Sequence, residues 1–168
     1  MSSYQRIAAP LSSEDYREAI VAFQTAWSGD HEALLDFVAT HAPTTSQGND
    51  LHVLSLGAGD GLRDVAALSV LRDVCQPAQI FYSALEPNGA QLAALTKYFS
   101  SHVENIDLKA FQLKAEHYDF PEMTFDVIFF THSLYHMPGA ERDLLEKALL
   151  ALKPDGRMII TLATEQGG

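Results

Sequence analysis

The sequence predicts a doubly wound parallel α/β sheet, and three observations carry that prediction. From Leu51 onward, short apolar runs alternate with segments of helical period. One of those runs, Phe125–Thr131 (FDVIFFT), is almost continuously apolar, as a strand buried on both faces must be. A glycine-dense loop, Gly57 to Gly61, directly follows the first run, at the strand-to-helix turn where such folds place their ligands. Alternation of this kind implies parallel strands joined by right-handed crossovers, with helices on both faces.

Residues 1–50 read as a helical lead-in and linker, and residues 51–168 as the core of a single domain. Ser12-Ser13-Glu14-Asp15 has the spacing of a helix N-cap, and Tyr16, Ile20, Phe23 and Trp27 then recur as a helical stripe. Asp30 can cap a second helix carrying Leu34, Leu35, Phe37 and Val38. Ala42–Asp50 (APTTSQGND) is a turn-rich linker. The first strand is expected over Leu51–Leu56 and the helix after the glycine loop over Leu62–Cys75. Gln79–Leu85 and Gly89–Ser101 follow as strand and helix, and Ile106–Leu113 as a weaker third strand. Phe125–Thr131 is the fourth strand, and Ala140–Leu152 is a helix closed by the turn Lys153-Pro154-Asp155-Gly156. Met158–Ala163 is the fifth strand.

Composition excludes several function classes. A length of 168 residues fits one domain, and 47% hydrophobic with 20% charged residues is ordinary for a globular chain. No apolar stretch approaches the ~18 residues of a membrane helix. The N-terminus also lacks the basic and apolar regions of a signal peptide. One cysteine, Cys75, rules out an internal disulfide and a cysteine-rich metal site, so a cytoplasmic location is expected. A net charge of −11 with eleven scattered basic residues argues against a nucleic-acid partner. His31 and His41 have no third residue spaced for zinc, so no metal is expected.

The glycine loop narrows the ligand. Gly57, Gly59 and Gly61 follow G-x-G-x-G, whereas a dinucleotide fingerprint would need its third glycine at position 62, where Leu62 stands. Asp60 lies inside the loop, where a pyrophosphate would be repelled. The second strand ends in Glu86, about 25 residues beyond Gly61, and a carboxylate there can accept both hydroxyls of a ribose. These features point to a nucleoside without a pyrophosphate. A glycine-rich turn serving only strand–helix packing is the plainer alternative.

Three stretches, VLSLGAGDG with Glu86, FDVIFFTHSLYHM and ALLALKPDGRMII, resemble the class I S-adenosylmethionine-dependent methyltransferases. Together they run from Leu51 to Ala163. The chain departs from most of that family at Ser55, two positions before the first glycine, where an acidic residue is usual. The resemblance implies a Rossmann-like sheet of order 3-2-1-4-5. It implies S-adenosylmethionine as cofactor, with Gly57, Ala58, Gly59 and Gly61 forming the turn beneath it. Glu86 and Pro87 would hold its ribose and Gln91 the adenosine side. Ala115 and Glu116 would flank the adenine, and Thr131 and His132 would close the fourth-strand side.

A narrower similarity, to histamine N-methyltransferase-like proteins, rests on Glu86-Pro87-Asn88-Gly89-Ala90-Gln91, on Ser55 and on the pair Leu134-Tyr135. It implies a small amine substrate, with Asp30 on the amine and Tyr16, Phe23 and Tyr135 lining the pocket. That family's sheet closes with an antiparallel hairpin after the fifth strand. None follows here before Gly168, so the expectation is either a shortened, catalytically incomplete module or a second copy covering the fifth-strand edge.

Methyl transfer from a sulfonium needs position and an unprotonated nucleophile more than a fixed catalytic group, since orientation alone is worth ~7–11 kcal/mol. No obligatory catalytic residue is visible. His132, Tyr135 and His136 lie just past the fourth strand and are the candidate catalytic or substrate contacts, an imidazole there being able to take a proton from an ammonium. The plainer reading packs Tyr135 in the core and leaves the histidines on a loop.

Overall fold

The computed structural model describes residue 12 and residues 29–44, 48–103 and 105–162. The expected first helix, with Tyr16 and Phe23, lies outside the described residues. The described chain runs through α1 (Gly29–His41), β1 (Leu51–Leu56), α2 (Leu62–Cys75), β2 (Ile80–Leu85), α3 (Gly89–His102) and β3 (Ile106–Phe111). A 3-10 turn (Ala115–His117), β4 (Phe125–Thr131), a second 3-10 turn (Leu134–His136), α4 (Glu141–Ala151) and β5 (Leu152–Thr161) complete it. All strand pairings are parallel and the order is β3-β2-β1-β4-β5, the doubly wound arrangement expected. The chain leaves β1 toward β2 and later returns to β4 on the other side. The switch point therefore lies between the carboxyl ends of β1 and β4.

Period-two alternation in the central strands divides the core between two faces. Val53, Tyr82, Val127 and Phe129 pack under α1, α2 and α3 with Leu34, Val38, Leu68, Leu71, Leu95 and Phe99. Leu54, Leu56, Ile128 and Phe130 pack on the other face with Leu144, Ala148 and Ala151 of α4 and with Leu134 and Met137. Each fully buried Val, Leu, Ile or Phe among them contributes about 1.5–3 kcal/mol, which anchors β1 and β4 beneath the site. At one edge, β3 is exposed on its Asp107 and Lys109 side chains, and charges there discourage further strand pairing.

Two boundaries differ from the sequence reading. Helix α1 begins at Gly29, so Asp30 lies within its first turn rather than ahead of it. The strand after α4 begins at Leu152, not Met158. Phe125 pairs with Leu152 and Val127 with Arg157, so the segment holding Pro154-Asp155-Gly156 bulges out of a strand instead of preceding one. Lys153 fixes the bulge: its Nζ lies 2.7 Å from Asp126 Oδ2, which also accepts the His52 N–H at 2.8 Å. Among the described residues no helix is long and apolar enough to cross a membrane.

Candidate functional site

The site grows from the end of β1. The N–H groups of Gly57 and Ala58 both donate to the Leu85 carbonyl, at 2.9 and 3.0 Å, which bends the chain out of the sheet beside β2. Gly57, Gly59 and Gly61 then take φ of 77°, 60° and 77°, the left-handed region. At Gly57 glycine is required twice over, because a Cβ there would lie 2.6 Å from Ser133 Cβ. In front of Gly59, by contrast, a Cβ would meet nothing within 4 Å. The loop is closed below and open above.

Asp60 does not project into that opening as a free charge. It is buried, and its Oδ1 accepts the Leu62 N–H at 3.2 Å, capping the start of α2. The helix N-terminus that would attract a phosphate is thus occupied by the protein's own carboxylate. This gives the sequence argument against a pyrophosphate ligand a structural cause.

Glu86, one residue past β2, is buried and turned back on the loop. Its Oε2 accepts the Gly59 N–H at 2.9 Å and its Oε1 the Asn88 N–H at 2.7 Å. Burial pushes its pKa up, and the two backbone hydrogen bonds oppose that shift. Each carboxylate oxygen keeps a lone pair for a further donor. Asn88 caps α3, its Oδ1 accepting from the N–H groups of Ala90 and Gln91 at 3.0 and 3.2 Å. Pro87 between them is exposed. Gln91 is buried in the first turn of α3, and its Oε1 has no hydrogen-bond partner among the described residues.

On the β3 side, Ala115 is buried in the core of the α4 face while Glu116 is exposed, so of the two only Glu116 presents its side chain to solvent. On the β4 side, the Thr131 Oγ1 is buried and without a partner among the described residues. His132 follows at φ 52°, an uncommon conformation for a residue with a Cβ, and its N–H is held by the Thr161 carbonyl and Oγ1, both at 3.1 Å. Tyr135 is 46% exposed, its ring 4.4 Å from that of His136, so the core reading of Tyr135 is set aside. His136 donates its N–H to the Ser133 carbonyl at 2.9 Å, and partial burial of its ring lowers its pKa.

The structure thus brings Gly57, Ala58, Gly59, Gly61, Glu86, Gln91, Thr131 and His132 to the carboxyl ends of β1, β2 and β4. Two features here go beyond what the sequence reading gave. One is Ser133, buried directly on Gly57 with its Oγ unpartnered among the described residues. The other is a buried cluster behind the loop, where Tyr82 donates to Asp64 Oδ2 and Ser55 stands beside the same carboxyl. Burial pushes Asp64 up to about 6, helped by the nearby Asp60 and opposed by the neighbouring Ser55 hydroxyl, the Tyr82 hydrogen bond and the Arg63 charge. A tyrosine inside an apolar strand was the available signal, since its hydroxyl needs a buried partner.

The comparisons agree with this geometry. A family model described as a methyltransferase domain matches residues 26–167. Among solved structures, the YcgJ protein from Bacillus subtilis is 20% identical with a TM-score of 0.58, covering 77% of this chain and 50% of that one. An S-adenosylmethionine-dependent methyltransferase from Leishmania major is 19% identical with a TM-score of 0.63, covering 88% and 58%. A cyclopropane synthase from Mycobacterium tuberculosis is 21% identical with a TM-score of 0.57, covering 76% and 41%. The chain therefore spans roughly half the length of these structures. Among curated proteins none matches it. With 26–167 of its residues matched and the sheet order and strand-end loop of that fold in place, the chain belongs to the methyltransferase domain family.

Proposed function

We propose that this chain binds S-adenosylmethionine over the glycine loop and takes part in methyl transfer to an amine nitrogen of a small molecule. The observation that carries the reading is the buried Glu86 carboxylate, held on Gly59 and Asn88 with acceptor capacity left on both oxygens. The residues fit a nucleoside with a cationic tail. Open space lies before Gly59, the Gln91 Oε1 and Thr131 Oγ1 want partners, and Asp60, Asp64 and Glu86 make the surroundings anionic. In this reading Glu86 and Pro87 hold the ribose and Gln91 the adenosine side. Ala115 and Glu116 border the base, while Thr131 and His132 border the tail. When bound, the cofactor supplies an electrophilic methyl group on a sulfonium. The chain's own part is to orient the reactants and keep the acceptor unprotonated.

Support for an amine acceptor comes from the acidic site, from the similarity to histamine N-methyltransferase-like proteins through Glu86-Pro87 and Gln91, and from His136. Its lowered pKa leaves that imidazole neutral at pH 7 and able to accept a proton. Tyr135 and His132 flank the end of β4 with His136, and the same similarity assigns the amine to Asp30 and pocket-lining roles to Tyr16 and Phe23, the last two outside the described residues. The scaffold itself hosts acceptors other than nitrogen, so the acceptor rests on these residues and not on the fold. Incubation with methyl-labelled S-adenosylmethionine and panels of small amines, phenols and carboxylates tests it. Label is expected in the amines, with loss of the acid limb of the rate profile in His136→Asn. Label confined to oxygen acceptors would overturn the nitrogen assignment.

A second reading is favoured by one observation. Ile160 on β5 and Leu162 just past its end are 38% and 50% exposed. In that reading the chain binds cofactor but is catalytically incomplete, and a second copy covers the edge. Light scattering paired with the same assay separates the two, because a monomer that methylates amines alone excludes the second. Cys75, buried and the one cysteine of the sequence, fits a reducing, cytoplasmic setting for either.

A further inference from the structure

A buried carboxyl sits between the two arms of the glycine loop. Asp64 stands in the first turn of α2, three residues past Gly61, and is 2% exposed. Its carboxyl accepts from the Tyr82 hydroxyl of β2 and lies beside Ser55 of β1, two residues before Gly57. It therefore touches the strand that enters the loop, the strand next to it and the helix that leaves it. The rest of its surroundings are apolar. The Tyr82 ring stacks on Phe99 of α3 at 5.2 Å, Leu95 and Phe99 press against Gly61, and α1 brings Leu34 and Val38 to the same cluster. The charges that reach the carboxyl are Asp60, of like sign, and Arg63, of opposite sign, both from the loop-to-helix junction.

The fold has no use for a charge at this position. Asp60 already caps α2, and the Tyr82 hydroxyl needs only an acceptor oxygen, which an asparagine supplies without ionising. Burial instead leaves a carboxyl that ionises at about pH 6, so it is mostly charged at neutral pH although its surroundings oppose the charge. A charge inside the protein also acts over a longer reach than one in water, because the effective dielectric is ~20 rather than ~80. A cation resting on the open side of the loop therefore favours the ionised form of Asp64. By linkage, the ionised form favours that cation to the same degree.

We propose that Asp64 is a specificity-determining residue that acts through the loop without touching the ligand, its buried carboxylate favouring the sulfonium methyl donor over the uncharged thioether left after transfer. Donor and product differ by one methyl group and one positive charge on sulfur. A group that responds to that charge helps spent product give way to fresh donor. The proposal rests on the reading of this site as a methyl-donor site.

The test titrates S-adenosylmethionine and S-adenosylhomocysteine calorimetrically into the wild-type chain, Asp64→Asn and Tyr82→Phe at pH 5.5, 6.5 and 7.5. The ratio of the two affinities is the readout, because a change in loop packing alters both alike and cancels in it. Wild type is expected to move its preference toward S-adenosylmethionine by about three-fold from the lowest to the highest pH, most of it below pH 6.5. Asp64→Asn is expected to show one ratio at all three. Tyr82→Phe keeps the carboxyl but loses a hydrogen bond that favours its ionised form, so its rise is expected to continue to pH 7.5. A wild-type ratio that ignores pH, the same rise in Asp64→Asn, or a rise left in place by Tyr82→Phe overturns the inference and leaves the proposed site intact. A wild-type chain that binds neither ligand overturns the reading of the site, and this inference with it.

Discussion

Tyr82, from the middle of β2, donates its hydroxyl to the carboxylate of Asp64 in the first turn of α2, and both residues are buried. The pair ties the helix that follows the glycine loop to the sheet beneath it. It does so at a cost, because a carboxylate is being kept in an apolar surrounding.

That cost has a definite pH dependence. Burial raises Asp64 from 3.8 to about 6. A raised carboxyl pKa means the folded state holds its proton more tightly than the unfolded chain. The contribution to stability is therefore full below pH ~3.8 and is lost as pH rises through ~6. The shift corresponds to a penalty on the order of 3 kcal/mol above that window. Asp64→Asn, which keeps an oxygen for Tyr82, is expected to be more stable than wild type at pH 8 by up to that order and nearly equal at pH 4. Urea unfolding of both proteins at the two pH values checks it, and taking their difference cancels the general effect of the −11 net charge. An equal offset at both pH values would show that Asp64 does not titrate as described.

The glycines of the loop separate packing from access. Gly57→Ala places a Cβ 2.6 Å from Ser133 Cβ at φ 77°, combining a clash with left-handed strain. Gly59→Ala at φ 60° adds a Cβ into open space and incurs only the strain, about 1–2 kcal/mol. Thermal melts are expected to rank wild type above Gly59→Ala and Gly59→Ala above Gly57→Ala. Nucleoside binding should nonetheless be lost in Gly59→Ala, whose methyl fills the opening. Retained binding in that variant would move the ligand elsewhere.

Asn88 supports Glu86 through the same turn. Removing its two helix-capping bonds in Asn88→Ala is expected to cost ~1 kcal/mol of stability. A smaller decrease in ligand affinity should accompany it, because the Asn88 N–H that holds Glu86 Oε1 is retained. Chemical denaturation and calorimetry on one variant read the two effects separately.

Legibility followed physical reach. Strands buried on both faces declare themselves locally, which is why Leu51–Leu56 and Phe125–Thr131 match the sequence reading to the residue. The glycine loop and Glu86 were equally visible, because a strand, a turn and an acid at a fixed interval form a pattern along the chain. Ser133 and the Asp64–Tyr82 pair were not, since their meaning arises from partners 76 and 18 positions away brought together only by folding. The start of β5 was misplaced because Pro154-Asp155-Gly156 has the composition of a turn. Only the Lys153–Asp126 ion pair and the register against β4 show that the strand runs through it.

The central claim is that Glu86 and the glycine loop bind the nucleoside of a methyl donor. Calorimetric titration of S-adenosylhomocysteine into the wild-type chain and Glu86→Ala tests it most directly. The account predicts saturable one-site binding to the wild type and at least a ~100-fold loss in the variant, as expected when a charged acceptor of two hydroxyls is removed. Absence of binding to the wild type, or undiminished binding to Glu86→Ala, would contradict it.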